Sequence, residues 1–330
     1  MQANEVQQQL FHYLKSISPP HISLPDQLAQ LLNLSHDSVY RRIRGEKPLE
    51  LRELKQICEC FRISLDEALD LQNDTVLFHA AAINNPAFAF TDFLKGLLSQ
   101  LKYFNSFKER KIWFMCSDLP FWKFYMFPEI ATFKTFVWRK TLLNEPAYAH
   151  KSFSLAENAF AECFELGQEI NKEYSQIPSV EFWNKDSITS TLIQIEYYRD
   201  ARLFKSREDL ESVIDSFEKT LDHLELQAQL GMKVLPGNLD TSYRGPLHLY
   251  ISEVSDGNTA ILVELDNAKH SFILYNVFNY LATRDVHFAN VSFQAFENLV
   301  RRSTLISATG EKERIRFFHV LKERVWSLKR

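Results

Sequence analysis

Within fifteen residues, LSHDSVYRRIRGEKP (Leu34 to Pro48), the sequence places Arg41, Arg42, Arg44 and Lys47 beside His36, Asp37, Ser38 and Tyr40. These side chains suit binding chemistry. A guanidinium is permanently charged and presents a planar fork that matches phosphate oxygens or the edge of a guanine. Asp37 is the exception, because a carboxylate repels phosphate and is useful on such a surface mainly as an acceptor from a cytosine amine. Bond-making chemistry has no comparable signature. None of the eight glycines falls in G-x-G-x-x-G or G-x-x-x-x-G-K. H-E-x-x-H and G-x-S-x-G are absent, and the ten histidines have no metal-ligand spacing. Asp118, Glu129 and Lys134 loosely follow the order of a metal-dependent nuclease, a spacing that chance produces easily. Tyr197, Tyr198 and Phe204 could line a cavity, although aromatics so spaced ordinarily fill a core. The sequence therefore reads as a binding protein, not an enzyme, with no cofactor.

Composition sets the frame. Apolar residues make up 45% and charged residues 24% of 330, the balance of a soluble globular protein long enough for two or three cores. A net charge of −4 excludes a uniformly basic binder but leaves room for a small basic head on a neutral body. Four cysteines make no disulfide framework, and Cys58 and Cys60 would project to different sides of a helix. The start, MQANEVQQQLFHYL, lacks the pattern of a signal peptide. The aromatic run FWKFYMFPEIATFKTFVW is interrupted by Lys123, Glu129 and Lys134, so no membrane span is expected. The expected location is cytoplasmic.

The elements that must position the cationic stretch are short helices. One covers about Asn4 to Ser16 and stops at Pro19 and Pro20. A second opens near Ser23 with Pro25 in its first turn, where the missing N–H costs little. After a turn at Asn33 and Leu34, Ser35 caps a third, which Gly45 closes. A fourth follows Pro48, with Leu51, Leu54, Cys58 and Phe61 on one stripe. A fifth opens at Ser64, with Glu67 three residues on as a capping box.

In this order and these lengths, residues Val6 to Leu71 resemble the Cro/C1-type (XRE-like) helix-turn-helix domain. Ala29 stands where the second and third helices cross, Val39 is the buried residue of the recognition helix, and Leu54 to Leu69 are similar to the family's last two helices. The resemblance implies that the second helix lies across the phosphate backbone and the third enters the major groove of double-stranded DNA. His36, Asp37, Tyr40 and Arg41 would then face the bases, with Arg41 on a guanine, while Arg42, Arg44 and Lys47 would hold phosphates, and Ser38 is counted with them as a DNA-binding residue. Two departures stand out. Asn33 occupies a turn position where the family prefers glycine, a mild change because Asn can enter the left-handed region. Arg42 stands where an apolar residue is usual and Ile43 comes one place late, which predicts a rotated or repacked end to the third helix.

Beyond Asn73 the pattern changes without a flexible linker, and Gln72 to Thr75 is the expected boundary. TVLFHAAA, the helix from about Phe88 and KIWFMCSD read as a parallel β-α-β unit. Helical stretches follow over 153–174, 187–204 and 207–229, the last two similar to a single tetratricopeptide-like hairpin. LHLYISEV and TAILVEL, joined through Asp256-Gly257, read as a hairpin. A further strand over His270 to Leu274 and helices near Ser292 to Ile306 and Glu311 to Leu328 complete the chain. The expected fold is mainly α: a five-helix helix-turn-helix domain over 1–73 and an α+β effector or dimerisation body over 74–330, with possible subdivision near 150 and 240. The expected function is a sequence-specific transcriptional regulator acting as a homodimer, whose body senses a small-molecule or peptide effector. The alternatives are a constitutive dimeric repressor or architectural protein, or an enzyme with a regulatory DNA-binding head.

Overall fold

The computed structural model of the protein describes residues 3–19, 22–69, 76–80, 89–115, 117–157, 160–242, 244–253, 259–274 and 279–329. The chain divides into two compact units. One comprises Met1–His79 with Thr283–Ala289, the other Ala80–Ala282 with Asn290–Arg330.

The first unit is built of α1 (Ala3–Ile17), α2 (Leu24–Leu32), α3 (His36–Ile43), α4 (Leu51–Phe61) and α5 (Leu65–Ala68). Leu10, Phe11, Leu14, Leu28, Val39 and Ile57 are the centre of its core. Local chemistry sets the ends of these helices. Asn33 leaves α2 at φ 52° and ψ 51°, the left-handed conformation that Asn tolerates better than most residues. The Ser35 hydroxyl accepts from the Ser38 amide to cap α3, and Gly45 follows α3 at φ 76°. Glu50 and Glu53 form the capping box of α4. Leu51 departs from its expected place on the buried stripe. It is 85% exposed, because it is the first helical residue and Ile57 takes the inward position instead. The expected boundary at Gln72 to Thr75 and the hairpin turn at Asp256-Gly257 lie outside the described residues.

The second unit is an α+β body. Its mixed sheet contains β2 (Arg110–Met115), β3 (Ser179–Trp183), β4 (Leu247–Ile251), β5 (Ala260–Leu265), β6 (Ala268–Leu274), β7 (Tyr280–Thr283) and β8 (Thr304–Leu305), in the order β7-β6-β5-β2-β3-β4-β8. Strands β2, β3 and β4 are parallel, and the pairs β5-β2, β6-β5 and β4-β8 are antiparallel. Two expectations are corrected here. Among the described residues of TVLFHAAA, His79–Ala80 form strand β1, and the neighbours of β2 are β3 and β5; the parallel units begin one strand later. LHLYISEV and TAILVEL are not partners either. Strand β5 instead turns into β6 through Asp266-Asn267, with Leu265 opposite Ala268 and Asp266 at φ 49°.

The helices of the body are α6 (Phe90–Asn105), α7 (Pro128–Val137), α8 (Ala161–Ser175), α9 (Thr189–Asp200), α10 (Arg207–Leu230), α11 (Val286–Arg302) from Asn290 onward, and α12 (Glu311–Ser327). The aromatic run forms a 3₁₀ turn over Phe121–Met126, then α7, then a π turn over Trp138–Leu142. Side chains alternate across β2 and β3, which gives the sheet two unlike faces. Ile112, Phe114 and Trp183 join the large core formed with α6 to α10 and α12. Trp113, Val180 and Phe182 face the other way, onto Phe293 and Phe296 of α11. The expected α9–α10 hairpin is not a packed pair; α10 lies against α12 and α7. At Gly167 of α8 a Cβ would lie 2.2 Å from the Tyr125 ring, so only glycine allows α8 so close to the 3₁₀ turn. No helix among the described residues is long and apolar enough to cross a membrane.

Candidate nucleic-acid interface

Helices α2 and α3, joined at Asn33, are held by Leu28, Ala29 and Val39 in one core. With Val39 facing inward, the opposite side of α3 presents His36, Asp37, Tyr40 and Arg41, all exposed, and the following loop presents exposed Arg44 and Lys47. Ser38 is half-buried, and its hydroxyl is engaged by that of Ser35 at 3.0 Å. Six of the eight expected DNA-facing residues thus form one exposed ridge.

Arg42 is the correction. It is 2% exposed and does not face a phosphate. Its Nε and Nη2 donate to the two carboxylate oxygens of Glu53 on α4 at 3.0 and 2.7 Å, and its Nη1 donates to the Ser38 carbonyl at 3.2 Å. The usual apolar plug is replaced by a charged one, which is sheltered only because Glu53 supplies a matching fork. Burial pushes the Glu53 carboxyl up, but the hydrogen bonds from Arg42 and the Glu50 amide and the Arg42 charge outweigh it. Glu53 therefore sits below its ordinary value.

Two features of the ridge carry no sequence signal. Gln7 on α1 donates to the carbonyls of Arg42 (2.7 Å) and Lys47 (2.8 Å) and accepts from the Leu49 amide (2.7 Å). Gln8 donates to the Arg44 carbonyl at 2.9 Å. The loop carrying Arg44 and Lys47 is thereby fastened to the first helix. The second feature is Glu46. It accepts from Arg44 Nε at 2.6 Å and Nη2 at 3.2 Å, and lies 3.7 Å from Arg41 Nε. The Arg44 hydrogen bond holds the Glu46 carboxyl below the usual range. His36 meets Asp26 at 3.4 Å. The ridge is cationic on a unit that is not, since residues 1–79 contain eight Lys and Arg against eleven Asp and Glu.

The body places the other singled-out residues differently. Tyr198 and Phe204 belong to a filled aromatic cluster with Phe133, Phe136 and Phe153, ring centroids 5.3 to 6.2 Å apart. Tyr198 is buried among these rings, and Tyr197 is exposed. Lys134 is buried, donating to Thr191 Oγ1 at 3.0 Å and Gln194 Oε1 at 2.8 Å. Burial pushes it down to about 8 against the pull of Asp118, and burial also raises Asp118. Among the described residues no three His, Cys, Asp or Glu side chains could hold a metal, so Asp118 and Glu129 belong to no such cluster.

A second buried charge group was not legible at all. Glu181 on β3 faces the large core and accepts from Tyr174 Oη (2.7 Å), Trp183 Nε1 (3.1 Å) and Lys123 Nζ (3.1 Å). Burial raises its pKa, but the charges of Lys123 and Lys233 prevail and hold it low. Lys233 is driven well below its ordinary value by burial and donates to the Ile177 carbonyl.

Residues 7–84 match the family model of the BetR domain, a DNA-binding domain of helix-turn-helix type. The amino-terminal region is therefore helix-turn-helix-like, as its geometry indicates. Among curated proteins and solved structures nothing matches the chain.

Proposed function

We propose that the chain is a sequence-specific, XRE-like DNA-binding regulator of transcription that works in the cytoplasm by binding, not by catalysis. The observation that carries this reading is the exposed ridge of Tyr40, Arg41, Arg44 and Lys47 opposite buried Val39 on the second helix of a helix-turn-helix. Arg41 reads a base in the major groove, and Arg44 and Lys47 position the domain on phosphates. His36, Asp37 and Tyr40 complete the base-facing surface, and Ser38 orders the helix start. One such head touches few base pairs, so the working unit is a homodimer on two half-sites about one helical turn apart, with the body supplying the dimer contacts and the effector response.

Selection of preferred sequences from a random duplex pool by the full chain tests this. A motif should emerge, Arg41→Ala should relax preference at one position, and Arg44→Ala should weaken all sequences alike. Failure to enrich any motif would overturn the reading. Sedimentation of a monomer at micromolar concentration, with and without the selected duplex, would overturn the dimer.

A further inference from the structure

The described residues of the body form a cleft of about 740 Å³. It opens where the parallel strands begin, at Arg110 of β2, Pro178 before β3 and Pro246 before β4, and is closed on the far side by the Asp266-Asn267 turn. Five cationic side chains line it: Lys108, Arg110, Lys111, Arg244 and Lys269.

The hydrogen bonds these cations donate go to uncharged groups, while Arg244 also feels the charge of Asp240. Arg110 donates to Asn105 Oδ1 (2.9 Å) and the Phe107 carbonyl (3.1 Å). Lys269 meets Asn290 Oδ1 at 3.2 Å. Lys111 lies 4.2 Å from the centre of the Trp113 ring. Arg244 donates from Nη1 to Ser175 Oγ at 2.7 Å, while its buried Nε has no hydrogen-bond partner. A guanidinium N–H left without an acceptor keeps part of the Arg244 hydrogen-bonding capacity unused at the edge of the cleft. The backbone is shaped to hold Arg244 there. The Gly245 amide donates to the Ser175 carbonyl at 2.7 Å, and a Cβ on Gly245 would lie 2.5 Å from the Ile177 carbonyl carbon. Only glycine lets this segment run so close to the start of β3.

Three carboxylates share the lining. Glu109 and Asp266 belong to the turn, each backbone amide bonded to the other residue (2.9 and 2.7 Å). Glu264 stands in register between Lys111 and Lys269. Five cations against three anions leave a positive concavity, where field lines concentrate and small anions collect. The volume falls within the span of small-molecule sites.

From this geometry we infer that the cleft is a binding site for a small phosphate ester, such as a phosphorylated sugar or nucleotide. Arg244, Lys111 and Lys108 take the phosphate oxygens, and the carboxylates accept hydroxyl or amine groups of the remainder. A duplex backbone is a poorer occupant, because it is extended and the carboxylates would repel its successive charges. The inference does not depend on what the first unit binds.

The test is calorimetric titration of the full chain with inorganic pyrophosphate at constant ionic strength. Saturable binding near one per chain is expected, unchanged in Arg41→Gln and weakened at least tenfold in Lys111→Gln/Arg244→Gln. Should that variant fail to fold, Lys108→Gln/Lys111→Gln alters only lysine head groups and should also weaken binding several-fold. Absence of saturable heat into the millimolar range would overturn the assignment, as would equal affinity in the lysine variant. Displacement of pyrophosphate from the Arg41→Gln chain by a DNA duplex would overturn it too, by giving the cleft to phosphodiesters.

Discussion

Removing the Arg42 guanidinium separates a structural role from a DNA-contact role. The side chain is 3% exposed and Glu53 is 13% exposed, and three donor contacts join Arg42 to Glu53 and Ser38. Removing one partner of a buried ion pair ordinarily costs about 3–5 kcal/mol. Glu53 keeps the Glu50 amide at 3.1 Å and some access to water, so Arg42→Leu should cost less than that range, about 2–3 kcal/mol. In Arg42→Leu/Glu53→Gln no buried charge is left alone. The new side-chain amide oxygen can still accept from the Glu50 backbone, so the double variant should recover to within about 1 kcal/mol of the parent. All five tryptophans lie beyond residue 112, so the suitable assay is hydrogen exchange by mass spectrometry on the full chain. Peptides spanning α3 and α4 should exchange about 30- to 150-fold faster in Arg42→Leu, with body peptides unchanged. The salt dependence of DNA binding should keep its slope. A slope smaller by about one, with exchange unaltered, is the signature of a lost phosphate contact and would refute the structural role.

Other perturbations have equally definite outcomes. Glu46→Gln should free Arg44 and Arg41, raising non-specific duplex affinity on the order of two- to fivefold and steepening its salt dependence, as fluorescence anisotropy would show. Gln7→Ala should destabilise the first unit by about 2–3 kcal/mol, three hydrogen bonds at about one each, and lower DNA affinity although Gln7 lies on α1. Glu181→Gln should lower the stability of the body by about 3–5 kcal/mol, because Lys123 is left buried without its counter-charge; thermal denaturation followed by tryptophan fluorescence reads this directly. Because the folded pKa of Glu53 lies below its ordinary 4.5, its contribution is complete above that value and is lost as pH falls through the depressed folded value. Exchange protection of α4 should fall in acid below about 4.5, and less steeply in Glu53→Gln.

Much of the first unit was legible because its signals are local. Ser35, Gly45 and Asn33 set helix ends through their own backbone preferences, and Val39 marks the inward face by periodicity. Arg42 shows where local reading stops. Its displacement of an apolar residue was visible, but the partner that makes burial tolerable lies eleven residues on, in another helix. The Gln7 clamp spans 35 to 42 residues, and no periodicity marks a lone glutamine. In the body, strand segments were recognisable while their partners were not. The Asp256-Gly257 signal suggested that β4 and β5 pair, but both sit beside the parallel centre, β4 on β3 and β5 on β2. Pairing in a mixed sheet is decided by which faces can be covered. Glu181 reads as a charge interrupting a strand, and only the fold brings Tyr174, Trp183 and Lys123 around it.

The glutamines of α1 also matter for handling the protein. The loop bearing Lys47 owes three of its backbone partners to one side chain seven residues from the start of the sequence. An affinity tag, a fusion partner or a short deletion placed there would disturb the loop without touching any cation in it. Loss of DNA binding on such a change would resemble a damaged recognition helix. A tag at the other end of the chain, with an untagged control, separates an engineering artefact from a recognition defect.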